Sequence, residues 1–307
     1  MKGLSAAALL CFAAMTLQAQ QRVFVSAIHG DDVNACSSNA PCRSFARALS
    51  VVAAGGEILA LDSGGFGPIM ITHAVSIVAP FGVEGSITQT SAGLNAIVIT
   101  APGATVFLRG LSVFGLQVAN DGILANSVAA LIIDSCSITG FTFSGIEFTL
   151  SSPGTMSIFN STFFNNSGNG IVTYGASNNT SMFLITNSRI ESNGFSGLNL
   201  FEGSRGTIRN SSLSLNNSNG AIVQTQSTGQ TGILEIDHCI IDGNQNGVNG
   251  GGATGALESI HVSASVIVHN KNLGVAAGNA ARLWTRGDNT LEDNGTNGSF
   301  TDTFTGN

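Results

Sequence analysis

A short segment that returns about every 25 residues constrains this chain more than any other feature. The segments are LRGLSVFG (108–115), IDSCSITG (133–140), FNSTFFNN (159–166), TNSRIESN (186–193), RNSSLSLN (209–216), IDHCIIDG (236–243), SASVIVHN (263–270) and GDNTLEDN (287–294). Aligned on one apolar position they give Val113, Ile138, Phe163, Ile190, Leu213, Ile241, Ile267 and Leu291, at intervals of 25, 25, 27, 23, 28, 26 and 24 residues. Three positions later an Asn recurs at Asn166, Asn193, Asn216, Asn244, Asn270 and Asn294, and a glycine column follows at Gly122, Gly145, Gly170, Gly197, Gly220, Gly247 and Gly274. Apolar residues alternate with period two between these punctuation marks, which is strand spacing, and Gly interrupts any helical run. Repeats of this length that cannot bury a face alone must stack. The predicted fold is all-β: a single-stranded right-handed parallel β-helix of about 25 residues per coil. In it each inward side chain stacks on its equivalent one coil away, ~4.8 Å distant. Asn suits the corners because its amide bonds both turn backbone and the next Asn, and because it tolerates left-handed dihedrals. Gly suits the next corner, where a Cβ would clash. A second polar corner runs Asn160, Asn187, Asn210, with His238 next in line.

Such a solenoid needs covers at its ends. Residues 43–54, RSFARALSVVAA, read as a short amphipathic helix with Phe45, Ala46, Leu49 and Val52 on the apolar side. The tail GSFTDTFTGN offers Phe300 and Phe304 as a C-terminal plug. The N-terminus, MKGLSAAALLCFAAMTLQAQQ, has a Lys, a short apolar run and a small-residue Leu-Gln-Ala site, the pattern of a signal peptide too short to span a bilayer. The predicted organisation is therefore residues 1–19 as signal peptide, 20–54 as N-terminal cap, 55–295 as β-helix and 296–307 as C-terminal cap. A secreted or periplasmic destination and no membrane insertion follow. Export lets Cys36 and Cys42, which bracket a five-residue loop, form a disulfide, whereas Cys136 and Cys239 stand four coils apart and read as small buried hydrophobes.

Only 9% of residues are charged, Lys occurs only at Lys2 and Lys271, and the net charge is −7. Nucleic acid is excluded as a partner, since binding it requires a basic footprint. Trp284 and Tyr174 are the only Trp and Tyr, and most of the 18 Phe are expected inside the core or at its ends, so no aromatic sugar track is foreseen.

The opening stretch VFVSAIHGDDVNACSSNAPCRSFARALSVVAAGGEILALDSGGFG, followed by the Asn-Ser corners, resembles the secreted bacterial right-handed β-helix proteins of the pectate-lyase-like superfamily. The resemblance spans nearly the whole chain after the signal peptide. It implies the fold; lyases, hydrolases, epimerases and non-catalytic members share it, so it implies no single activity. The Asn-Thr-Asp, Gly-His-Gly and Arg-Ile-Lys motifs of the polygalacturonase-like branch are absent, and the only Asp-Asp, Asp31-Asp32, precedes the coils.

Paired carboxylates, which glycoside cleavage requires, are most simply placed in one outward column. One column holds Glu191, Ser214, Asp242, Val268 and Glu292, with its acids on alternate coils. Another holds Arg109, Asp134, Phe159, Thr186, Arg209 and Asp237, where Arg209 and Asp237 are neighbours that read as a cross-coil ion pair or as a base beside an acid. His238 reads as a turn residue in place of Asn. Asp31 and Asp32 are the one calcium candidate, beside a turn role, and no other cofactor is called for. The expected function is a non-catalytic carbohydrate-binding or structural surface module with polysaccharide as partner. The alternative is a polysaccharide lyase or glycoside hydrolase working in a groove along the β-helix, which clustered acids near loops 148–154, 175–180, 202–206 or 225–231 would favour.

Overall fold

Each sequence repeat becomes one coil with three strands. Ile146–Thr149, Thr155–Phe159 and Thr162–Phe164 form one such coil and define a first, second and third face. A computed structural model describes residues 21–150, 153–175, 181–201 and 203–305. The predicted signal peptide and parts of three of the four loops named above (151–152, 176–180 and 202) lie outside these residues. Strands Ile97–Arg109 and Ile123–Asp134 run unbroken from the first face into the second, so the two make one 19-stranded parallel sheet; the third face is a separate 10-stranded parallel sheet.

The register matches the sequence alignment. Val113, Ile138, Phe163, Ile190, Leu213, Ile241, Ile267 and Leu291 are successive partners on the third face. All but the last are buried, and with the inward residues of the other faces they form one continuous core. A one-residue slip would turn every one of them outward, which is why the pattern fixes the register so tightly.

Two left-handed corners turn each coil. Between second and third faces sit Ser135, Asn160, Asn187, Asn210, His238 and Ala264, with φ between 46 and 55°. After the third face the left-handed residue is Asn165, Ser192, Leu215, Gly243, His269 or Asp293, one position before the repeating Asn. The ladder Asn residues therefore owe their place to the expected amide hydrogen bonding and not to the tolerance of left-handed dihedrals expected beside it. Asn193 Oδ1 accepts from Asn166 N–H (3.2 Å) and Nδ2 (3.0 Å), while its own Nδ2 donates to Asn216 Oδ1 (3.0 Å) and the Phe163 carbonyl (3.2 Å). The same bonds continue through Asn216, Asn244, Asn270 and Asn294. Every polar atom of these buried amides is satisfied. Gly197 faces this ladder: a Cβ there would lie 2.8 Å from both Asn216 Nδ2 and the Gly220 carbonyl.

At the N-terminal end the helix is Phe45–Val51, shorter than its pattern, because Ser44 caps it by accepting from Arg47 N–H and Val52 leaves helical geometry. Phe45, Ala48, Leu49 and Val52 face the core; Ala46, expected there, is exposed. The Phe45 and Phe66 rings meet at 4.7 Å. At the other end Phe300 packs against the core, but Phe304 does not plug it: Asp302–Thr303 pairs with Trp284–Thr285 on the second face, and the alternation throws Phe304 outward.

Candidate functional site

On the second face the outward positions form two parallel rows. One runs Leu184, Thr207, Glu235, His261, Trp284, Asp302. The other runs Arg109, Asp134, Phe159, Thr186, Arg209, Asp237, Ser263, as the sequence predicted, and continues to Arg286 and Phe304 at the C-terminal coils. The rows converge on an open depression of about 330 Å³ lined by Thr207, Arg209, Glu235, Asp237, His238, His261, Ser263, Arg286 and Phe304. Glu235 and Asp237 share it because residues i and i+2 of a strand project from the same face.

Arg209 and Asp237 do sit on neighbouring coils, but no ion pair joins them. Asp237 instead accepts from Ser263 Oγ (2.7 Å) and contacts His238 Nδ1 (3.0 Å). Burial pushes its carboxyl up, but the hydrogen bonds from Ser263 and His238 and the positive field of His238 and Arg286 outweigh that and hold it below the ordinary carboxylate range. His238 thus does more than turn the chain: its left-handed backbone aims the ring back at Asp237. Aromatic and cationic groups wall the C-terminal side. His261 stacks on Phe304 at 5.3 Å and meets Trp284 edge-on at 5.7 Å, and Arg286 and Arg282 lie over the Phe304 and Trp284 rings at 5.8 Å. Around the corner a second hollow of about 400 Å³, lined by Arg189, Asn210, Ser212 and His238 among others, continues the surface onto the third face.

The other acidic candidates lie elsewhere. Glu191 and Asp242 are on the third face, in the predicted column with Ser214 between them. Glu191 is paired with Arg189 (2.7 Å) and Asp242 with His269 Nδ1 (2.9 Å), so the four acidic and basic candidates do not form one cluster. Asp32 spends its carboxylate on the N-terminal cap, accepting from Arg43 N–H (2.8 Å), Ser44 N–H (2.9 Å) and Ser44 Oγ (2.8 Å), and Asp31 accepts from Val33 N–H (3.1 Å). Among the described residues no group of three His, Cys, Asp or Glu side chains is arranged to hold a metal ion. Cys36 and Cys42 are joined by a disulfide, with Cα atoms 4.6 Å apart. Cys136 and Cys239 are free, buried, and stand in a column with Ser161, Ser188, Ser211 and Ser265; burial pushes their thiols up to about 12 and about 11.

Sequence reasoning missed Glu235, His261, Arg286 and Phe304. The Glu-Ile-Asp triplet at 235–237 carried a signal, since it puts two acids on one strand face. The expectation that Phe fills the interior also needs correction. Phe81, Phe143 and Phe195 are exposed, and Phe107, Phe114, Phe159 and Phe164 sit half-buried on outward rows, where adjacent rows shield them in part. A buried acid, Glu258, lies near the loop 225–231 and accepts from Thr225 Oγ1 (2.9 Å); it ties two loops together and faces away from the depression.

A family profile described as "Right handed beta helix region" matches residues 96–300. No curated protein matches the sequence. Among solved structures, the pectate lyase Pel9A superposes with a TM-score of 0.65 at 15% identity, over 92% of this chain and 80% of that one. XylC, in a complex with xylose, gives 0.62 at 10% identity over 86% and 68%. An alginate lyase from Paenibacillus sp. str. FPU-7 gives 0.54 at 13% identity over 93% and 98%. At these identities the likeness is one of fold. Among the described residues no helix is long and apolar enough to cross a membrane.

Proposed function

Because this chain belongs to the family of right-handed β-helix proteins, we propose that its second face is a polysaccharide-binding surface, centred on the depression around Glu235 and Asp237, in an exported module. The observation that carries the reading is the convergence there of hydrogen-bonding and stacking groups: two carboxylates, Arg209, Arg286, His238, His261 and the Phe304 ring. Sugar hydroxyls donate to carboxylates and accept from guanidinium groups, and the C–H faces of a sugar ring stack on an aromatic. The depression is open to solvent, which lets a polymer segment reach it. The named solved structures include a pectate lyase, an alginate lyase and a xylose complex, which agrees with a saccharide ligand.

In a binding site Asp237, held ionised, acts as an acceptor for sugar hydroxyls, whereas glycoside hydrolysis would need a second carboxyl beside it held protonated as the acid. A second reading, lyase or hydrolase activity, rests on the Asp237–His238 contact beside Arg209, which would present an ionised base near a cation. One experiment separates the two. The purified chain is titrated calorimetrically with neutral and uronic-acid polysaccharides while reducing ends and unsaturated products are followed. Saturable heat without products, lost in Glu235→Gln and Arg286→Ala, supports the binding module. Products that vanish in Asp237→Asn establish the enzyme, and neither signal rejects both.

A further inference from the structure

The Arg–Asp unit of the depression occurs twice. Arg109 and Asp134 occupy the same outward row as Arg209 and Asp237, four coils earlier, and are followed by the same local sequence, Ile-Asp-x-Cys, at 133–136 and 236–239. Asp134, like Asp237, has one polar partner at its own corner and one on the next coil. Its corner neighbour Ser135 donates to Oδ1 (3.0 Å), where His238 contacts Asp237, and the next coil contributes Asn160 Nδ2 (3.0 Å), where Ser263 contacts Asp237. Arg109 approaches Asp134 at 3.4 Å. Beside this first unit is a depression of about 220 Å³ lined by Pro80, Phe81, Val83, Arg109 and Ser135. Phe81 stands fully exposed at the tip of a tight turn, closed by Val83 N–H to the Pro80 carbonyl (2.9 Å) with Gly82 at φ 87°. Each unit thus has an acid, a guanidinium, a polar corner side chain and one aromatic wall: Phe81 at one end of the row and Phe304 at the other.

Resting on the proposed saccharide reading, we infer that these are two related subsites for one linear oligosaccharide lying along the solenoid axis. Four coils at ~4.8 Å each place the Arg–Asp units ~19 Å apart. An extended sugar chain advances by about one ring per coil at that spacing, so about four to five rings span from unit to unit. The row between them, Phe159 and Thr186, is half-buried with no described segment across it, and Phe159 offers an apolar surface on which the intervening rings rest. The duplication sets a preference for length: a short oligomer fills one subsite, a long one both.

The test uses two-ring and six-ring oligomers of galacturonate, xylose and glucose, titrated against the whole chain and against Phe81→Ala, Arg109→Ala and Arg286→Ala. Because the second subsite acts at high effective concentration, a six-ring oligomer of the preferred sugar is expected to bind at least about tenfold tighter than the two-ring one. Phe81→Ala and Arg109→Ala remove that gain and leave the two-ring oligomer only the subsite around Asp237, where its binding is retained. Phe81 touches no core residue, so its variant reports on binding even if Arg109→Ala disturbs folding. Equal affinity for both lengths, with Phe81→Ala silent and Arg286→Ala abolishing binding, overturns the second subsite and leaves the proposed function intact. Binding of no oligomer at all overturns both.

Discussion

Asp237 and Ser263 are bonded across adjacent coils, Ser263 Oγ donating to Asp237 Oδ1 at 2.7 Å. This bond stabilises the ionised form of a carboxylate that burial alone would push towards protonation. The carboxyl is expected to titrate below its ordinary 3.8 in the folded protein, and Ser263→Ala is expected to move it back up. A carboxyl depressed on folding stabilises the native state above its unfolded value and loses that contribution as pH falls through the folded one. Ser263→Ala therefore flattens the acid limb of the stability profile below about pH 4. Carboxyl-carbon NMR titration of the two proteins checks the direction; an Asp237 value unmoved by the substitution contradicts the assignment.

Asp121 behaves in the opposite sense. It is buried in a polar column between Asn95 and Ser144, and burial, opposed by a hydrogen bond from Ser144 N–H and reinforced by the Glu147 charge, pushes its carboxyl up to about 6. A carboxyl raised on folding favours the native state at low pH and costs stability as pH rises from 3.8 towards about 6. Asn keeps the acceptor for Ser144 and removes the charge, and Asn already fills this column at Asn95, Asn169 and Asn219. Asp121→Asn should raise stability at pH 7 by about 1–2 kcal/mol, an advantage that disappears near pH 4. Denaturant unfolding at the two pH values measures it.

The asparagine ladder predicts a gradient. Asn216→Ala, in the middle, takes the acceptor from Asn193 N–H and Nδ2 and the Nδ2 donor from Asn244 Oδ1 and the Ile190 carbonyl, all buried, and should cost about 2–4 kcal/mol. Asn294→Ala, at the wetter end where Asn297 takes over the chain of amides, should cost much less. Equal losses at both positions would show that the ladder does not act through burial.

The two free thiols are expected to be inert. Cys136 and Cys239 are pushed up to about 12 and about 11 by burial, so at pH 8 neither should react with a disulfide reagent until the chain unfolds. Fast labelling of the native protein would contradict their placement.

The sequence disclosed the coils more readily than the site, for a physical reason. Inward residues such as Ile138, Phe163 and Ile190 must match their neighbours in the next coil, so their column is legible at a fixed period, and Asn193 and Gly197 are legible because each meets the same ladder. Outward residues are free to vary. Aligning one row found Arg209 and Asp237, but Glu235 and His261 lie in the neighbouring row, visible only by stepping two residues along the strand. Arg286 and Phe304 enter because the tail adds a last short strand at Asp302–Thr303, a pairing no repeat announces. Asp242 and Glu191 looked equally suitable by spacing, yet the corner after Asp237 turns that column onto another face.

The most direct test of the account uses Trp284, the only tryptophan in the chain, which sits on the second face between His261 and Asp302. Its emission is followed while the purified protein is titrated with each polysaccharide of a neutral and uronic-acid panel. A saturable change with one polymer, abolished by Glu235→Gln and by Arg286→Ala at unchanged Tm, is the predicted result. A polymer that the protein binds while Trp284 stays silent and both variants bind as well as the parent would place recognition on another face and contradict the account.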